Sequence, residues 1–533
     1  MTVPALRPDD VRAVLRARQE LALIDVRPEA IFAVGHPLFA ASVTLDRLEV
    51  DILDCVPRLS TPVVVYGEGG ADEIEALRRL GELGYDDVHL LEGGLDGWRE
   101  AGGELFADVN APSKAFGELV ALEADTPLID PGDLRQLLDD DADVVVLDAR
   151  RWDEYQAMSI PKAISVPGAE LVRVVGAIAP DPSTLVVVQC AGRTRSLIGA
   201  QSLIDAGVVN PVVALRNGTI GWTLAGFSLE HGRRQAAPPV PLDVSRPAGA
   251  AARRVAAAAG VDRITADDLE NLRGDSRRTV YRFDVRSGDE FVLGHVPGFR
   301  PVAGGQLVQE TDRYAPVRGA VIVLSDDDGV RADMTAAWLA QMGWNVAVLE
   351  PTPLERVERG EWHRHVPLPP AVNWLPAELV AKAIEDKTAV VVDVDSSTRY
   401  RTGHIPGSLW ARRSPLSGLQ GRVSLDVART PAIVVTSHDD VLTAFACRDL
   451  ALATSGHVAG LRGGTGGWLS TGRPLEPGPG TQLCPATDVY RRPYEGTDVD
   501  SAAMQAYLEW EYGLVAQLRR DDTHGFWVGA ARR

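Results

Sequence analysis

The chain has 533 residues, 45% hydrophobic and 24% charged, an ordinary soluble composition too long for one core, so several domains are expected. Its 54 Lys plus Arg against 74 Asp plus Glu leave a net charge of -20, which argues against nucleic acid or an anionic membrane as a general partner and requires any anion site to be locally basic. The four cysteines, Cys55, Cys190, Cys447 and Cys484, have neither the paired spacing of a zinc site nor the density of a secreted scaffold. No metal or cofactor is expected, and a reducing cytoplasm fits best. The N-terminus has no long apolar run and no stretch approaches a membrane span, so neither secretion nor anchoring is expected.

Along the chain one unit is written four times. It begins with a strand ending in Asp: Leu23-Ile24-Asp25-Val26-Arg27, Val146-Leu147-Asp148-Ala149-Arg150, Arg282-Phe283-Asp284-Val285-Arg286 and Val391-Val392-Asp393-Val394-Asp395. A proline follows 12 or 13 positions on, at Pro37, Pro161, Pro297 and Pro406, usually after a histidine (His36, His295, His404). Next comes an apolar run ending in a loop position, 41 to 44 residues after the Asp, held by Gly67, Cys190, Ser325 and Ser437. Trp98, Trp222, Trp362 and Trp468 close the units. Short β-branched runs alternating with amphipathic helices predict α/β units, each a parallel β-sheet flanked by helices on both faces, with ligands at the carboxyl ends of the strands. The expected units span 1–105, 126–231, 258–366 and 372–478, followed by a C-terminal helical tail over 479–533. The stretch from Glu104 to Asp125 and the Pro-rich stretch His231 to Pro241 read as linkers without regular structure. In the tail, Met504, Tyr507, Leu508, Tyr512, Val515 and Leu518 approximate helical spacing, predicting an amphipathic helix docked across the array, with a homodimer contact as the alternative.

Cys190 is the chemically pointed residue. It ends the run Val186-Val187-Val188-Gln189 and opens the loop Ala191-Gly192-Arg193-Thr194-Arg195-Ser196, after which a helix is predicted. A strand that stops at a cysteine and turns into a helix directs backbone N–H groups and the positive helix end at the sulfur, and two arginines add charge. The expectation is a partly exposed, surface-facing thiolate with a depressed pKa. Cys55 and Cys447 lie in helical stretches and read as core, while Cys484 is open to a role as a second sulfur carrier.

At these residues the chain resembles the rhodanese superfamily, as four tandem rhodanese-like domains over nearly all of residues 1 to about 478. The six-residue loop beginning at Cys190 and followed by Ser196 matches the family's active-site loop position by position, and the Asp-x-Arg phrase, Glu154-Tyr155, Ile160-Pro161 and Gly221-Trp222 match as well. The second unit departs in carrying Ser159 where the family usually has His, which reads as a structural turn position. The resemblance implies thiosulfate sulfurtransferase activity. Cys190 is the nucleophile, a persulfide the intermediate and cyanide or a thiol the acceptor, with a protein acceptor as a further candidate. Residues 191–196 bind the donor, Arg195 first and Arg193 the one free to point to solvent. Asp148 and Arg150 read as a supporting ion pair, since the same pair recurs in units without cysteine.

The other three units read as inactive, because Gly67, Ser325 and Ser437 cannot form a persulfide and acidic residues follow them, at Glu68 and Asp72, at Asp326-Asp327-Asp328 and at Asp439-Asp440. Adjacent Ser437 and His438 are not expected to face each other as nucleophile and base. Two other functions stand beside sulfur transfer. One is a non-catalytic scaffold. The other is a cysteine phosphatase or arsenate reductase, disfavoured because Arg195 comes after four intervening residues rather than five and Gln189 precedes Cys190.

Overall fold

The computed structural model describes residues 4–351, 357–367, 371–418, 432–454, 457–495 and 500–531. Four all-parallel sheets follow one another along the chain. In the second, the order across the sheet is Leu128–Ile129, Val212–Leu215, Leu185–Gln189, Val144–Asp148, Ile164–Ser165. The first and third sheets repeat that order. The fourth adds a sixth strand, Thr481–Gln482, from the tail segment, beside Leu409–Trp410. Central strands are mostly apolar because helices cover both faces: Val186, Val187 and Val188 are fully buried. Burying each such side chain contributes about 1.5–3 kcal/mol.

The repeated sequence marks have repeated physical roles. In the first three units the Asp at the strand end receives a bidentate guanidinium two residues on: Arg27 to Asp25, Arg150 to Asp148 and Arg286 to Asp284, with closest contacts of 2.6, 2.7 and 2.6 Å. The fourth unit has Asp395 in the arginine's place, and burial without that cation pushes Asp393 up to about 7. His36, His295 and His404 stack on Phe32, Phe291 and Tyr400 and bond backbone carbonyls, which is a structural turn role. Trp98, Trp222 and Trp468 each donate from Nε1 to the carbonyl six residues on. Trp362 does not share that role. It sits half-buried with its ring under the Arg300 guanidinium.

One of the expected linkers is structured. Within 104–125, Ala111–Glu123 is a helix, buried along most of its length against the helix Thr194–Asp205 and the tail helix. Pro at its first turn and Gly117 do not prevent this: Pro112 needs no N–H there, and Gly117 lets Thr194 approach closely. A further helix, Leu242–Ala258, packs on Leu171–Ile178 and Val330–Gln341 before the third sheet begins. The tail helix spans Ser501–Asp521 and docks within the chain against Ala111–Glu123. Its buried stripe is Met504, Tyr507, Leu508, Glu511, Leu514 and Leu518, so Glu511 lies on the buried face while Tyr512 is half exposed.

Candidate active site

The strand Leu185–Gln189 stops one residue before Cys190, and the helix Thr194–Asp205 starts four residues after it. The intervening loop is held from the neighbouring turn. Thr219 and Ile220 donate backbone N–H bonds to the carbonyls of Cys190 and Ala191 at 2.9 and 3.0 Å. Gly218, at φ +53°, allows this approach, since a Cβ there would lie 2.2 Å from the Cys190 carbonyl oxygen. The Cys190 thiol lies 3.4 Å from the Ser196 hydroxyl, which itself donates to the Arg193 carbonyl at 2.8 Å.

The loop is not at the surface. Cys190 is 1% exposed. Lys114 of the linker helix, Gln309 of the third unit, and Tyr494, Tyr507 and Glu511 of the tail close over the loop, leaving a cavity of about 10 Å³, the room of a single water. This corrects the expectation of a partly exposed thiolate. Burial pushes the Cys190 thiol up, and the Arg195 charge and the Ser196 bonds oppose that rise without reversing it, so the expected depressed pKa is not found.

Both arginines are committed to carboxylates, Arg195 to the half-buried Glu154 and Arg193 to the buried Glu118. Arg195 is bidentate to Glu154 at 2.6 and 2.8 Å. Burial works against the Glu154 charge, and Arg195 nevertheless holds that carboxyl near 2. Arg193 does not point to solvent. It pairs with Glu118 at 2.6 and 2.9 Å, donates to Asn217 and the Tyr512 hydroxyl, and stacks on the Tyr512 ring at 4.3 Å. Sequence reasoning missed Lys114, Glu118, Tyr494, Tyr507 and Glu511. The buried-stripe spacing of the tail helix was the one signal that could have found Glu511.

The equivalent loops of two other units show what the backbone cradle attracts. In unit one the Glu73 carboxylate accepts from the amides of Gly67, Gly69 and Gly70 at 2.6–3.2 Å. In unit three Asp326 accepts from the amides of Gly329 and Ala332, both at 2.9 Å. An internal carboxylate thus occupies these loops, a more direct obstacle to an anionic ligand than charge repulsion at a distance. In unit four Ser437 bonds Thr443 and the Asp439 carbonyl, whereas His438 bonds Asp395 and Thr465, so serine and histidine face different partners. Cys55 and Cys447 lie in the core, each pushed by burial up to about 12. Cys484 accepts from the Arg412 amide at 3.3 Å and packs against the fourth unit's core. Among the described residues no helix is long and apolar enough to cross a membrane.

A crystal structure of thiosulfate sulfurtransferase from Pseudomonas aeruginosa is 50% identical, covers 99% of this chain and 100% of its own, and superposes with a TM-score of 0.96. The Alr3790 protein of Anabaena sp. is 26% identical over 19% of this chain and 82% of its own, with a TM-score of 0.18. The rhodanese-like domain model matches four times, at residues 8–101, 130–225, 265–351 and 376–471, and the chain belongs to the rhodanese family.

Proposed function

We propose that the protein is a sulfurtransferase that carries sulfane sulfur on Cys190, with thiosulfate or a similar small anion as donor. The observation that carries this reading is that, of four equivalent loops, only the second places a thiol at the strand end, beside a cation. The Cys190 thiolate attacks the outer sulfur of the donor. The S–S bond to the sulfonate sulfur breaks, its electron pair leaves with sulfite, and Cys190 holds a persulfide. A thiolate or cyanide then attacks the terminal sulfur, and its bond to Cys190 breaks to return the thiolate. No external oxidant or reductant enters. Loop amides and the Arg195 charge offset the cost of burying the anion. The likeness to the Pseudomonas aeruginosa enzyme supports the donor assignment.

We assign the catalytic unit to 126–231, support to the units 1–105, 258–366 and 372–478, and closure of the site to 479–533. A reducing compartment suits a free thiol chemistry, and a protein thiol is an acceptor class compatible with it. The test is intact-mass analysis after incubation with thiosulfate. Wild type is expected to gain one sulfur atom on Cys190 and to transfer it to cyanide, and Cys190→Ser to do neither. Substantial transfer by Cys190→Ser would overturn the assignment.

A further inference from the structure

The tail helix buries the Glu511 carboxyl directly above the sulfur loop. Glu511 is 1% exposed. Its Oε1 accepts the Tyr507 hydroxyl at 2.9 Å, while among the described residues its Oε2 has no hydrogen-bond partner. Oε2 faces Gly192. A Cβ built on Gly192 would lie 3.2 Å from it and 3.3 Å from the Tyr507 ring, so the missing side chain of the loop and the carboxyl of the tail fit each other. Both residues line the cavity that holds Cys190.

We propose that Glu511 is a specificity-determining residue of the Cys190 site, which as a neutral acid donates a hydrogen bond from Oε2 to an anionic sulfur donor and as a carboxylate repels it. The proposal rests on the sulfur-transfer reading given above. The proton belongs on Oε2 because Oε1 already accepts from Tyr507. An unpartnered buried oxygen is costly unless it carries a proton or meets a donor, and the open direction is the cavity. The surrounding charges are mixed. Lys114 faces the site but is paired with Asp108 at 2.9 Å and lies among the rings of Tyr494, Tyr507 and Trp510. Arg193 is neutralised by Glu118, and Glu118 and Cys190 add negative charge when ionised. Burial therefore dominates and pushes Glu511 up to about 8, with Lys114 opposing and Glu118 reinforcing the rise. At neutral pH the group is an acid. The Glu511 charge, when present, in turn raises Cys190 further, after burial has done most of that work.

The test follows the rate of persulfide formation on Cys190 with thiosulfate in single turnover, from about pH 6 to about pH 10, in wild type, Glu511→Gln and Tyr507→Phe. Wild type should give a bell, because reaction needs Cys190 ionised and Glu511 protonated, while Glu511, at about 8, loses its proton before the raised Cys190 thiol does. Glu511→Gln should lose the falling limb and rise to a plateau as Cys190 ionises. Tyr507→Phe removes the bond that favours the carboxylate, so the limb set by Glu511 should move to higher pH. Iodoacetamide alkylation of Cys190 without any donor provides a second readout, in which Glu511→Gln should react at lower pH than wild type. A falling limb that survives in Glu511→Gln, or an alkylation profile identical to wild type, overturns the proposal. Absence of any persulfide in wild type overturns instead the sulfur-transfer reading, and the alkylation comparison still reports on Glu511.

Discussion

Arg193 and Arg195 are two residues apart and carry the same charge, yet the fold gives them different work. Arg195 is fully engaged with Glu154 while its charge also reaches Cys190. Arg193 joins the second unit to the linker helix through Glu118 and to the tail through Tyr512. Removing Arg193 strands the buried Glu118, a loss of about 3–5 kcal/mol for a broken buried pair, and removing Arg195 strands the half-buried Glu154 at a smaller cost. The two variants should nevertheless separate. Arg195→Ala is expected to move alkylation of Cys190 to higher pH and to slow persulfide formation at least tenfold. Arg193→Ala is expected to lower the melting temperature as much or more, with a smaller shift of the Cys190 profile. Chemical denaturation and pH-dependent alkylation of both variants check this. Equal shifts of the thiol would show that proximity to Cys190 does not distinguish them.

At the scale of the loop, internal carboxyls fill the positions in the first and third units that match the Cys190 loop. Asp326 receives two amides of the third loop, and burial pushes it up to about 7 against those bonds. Ser325→Cys in a Cys190→Ser background is therefore expected to form no persulfide with thiosulfate, because a carboxyl already holds the loop. Wild-type rates from that variant would show that only the missing sulfur silences the third unit. Much of the architecture was legible in the sequence, since strand ends, the Asp-Arg pair and the loop position recur at a fixed interval and each reflects a local requirement of a parallel sheet. The site was legible only in part. The cysteine, the glycine and the arginines of the loop are contiguous in sequence, but Lys114, Glu118, Gln309 and Glu511 reach the site from three other segments, and no local pattern links them to it. The same non-local cover explains why a loop that reads as exposed is buried. The linker helix was obscured by Pro112 and Gly117, breakers in general that here occupy a first turn and a close helix contact.

Across the whole molecule, the four units are fastened by buried charge. Arg413 of the fourth unit pairs with Glu49 of the first at 2.6 Å, and Arg331 of the third reaches Glu170 of the second at 3.0 Å. One apolar cluster runs through the first unit, the linker helix, the third unit and the tail, so the first and third units form the frame against which the tail closes on Cys190. This distribution sets the response to pH. Glu49, Glu154 and Glu290 are held near 2 by arginines acting against burial, with the Ser287 bonds also lowering Glu290. Folding therefore gains from them above their unfolded pKa of about 4.3 and loses that gain as pH falls toward 2. Asp312, Asp326 and Asp393 are pushed by burial to about 7, and Glu511 to about 8. For these the unfolded chain releases its proton first, so stability falls as pH rises from about 4 to about 8. The melting temperature should accordingly peak near pH 5 and decline by several degrees toward pH 8. In Glu511→Gln the alkaline decline should be shallower, because one of the raised carboxyls is gone. A calorimetric pH series on both proteins measures this, and a wild-type melting temperature that climbs steadily from pH 5 to pH 8 would show that the buried acids do not hold their protons in the folded chain.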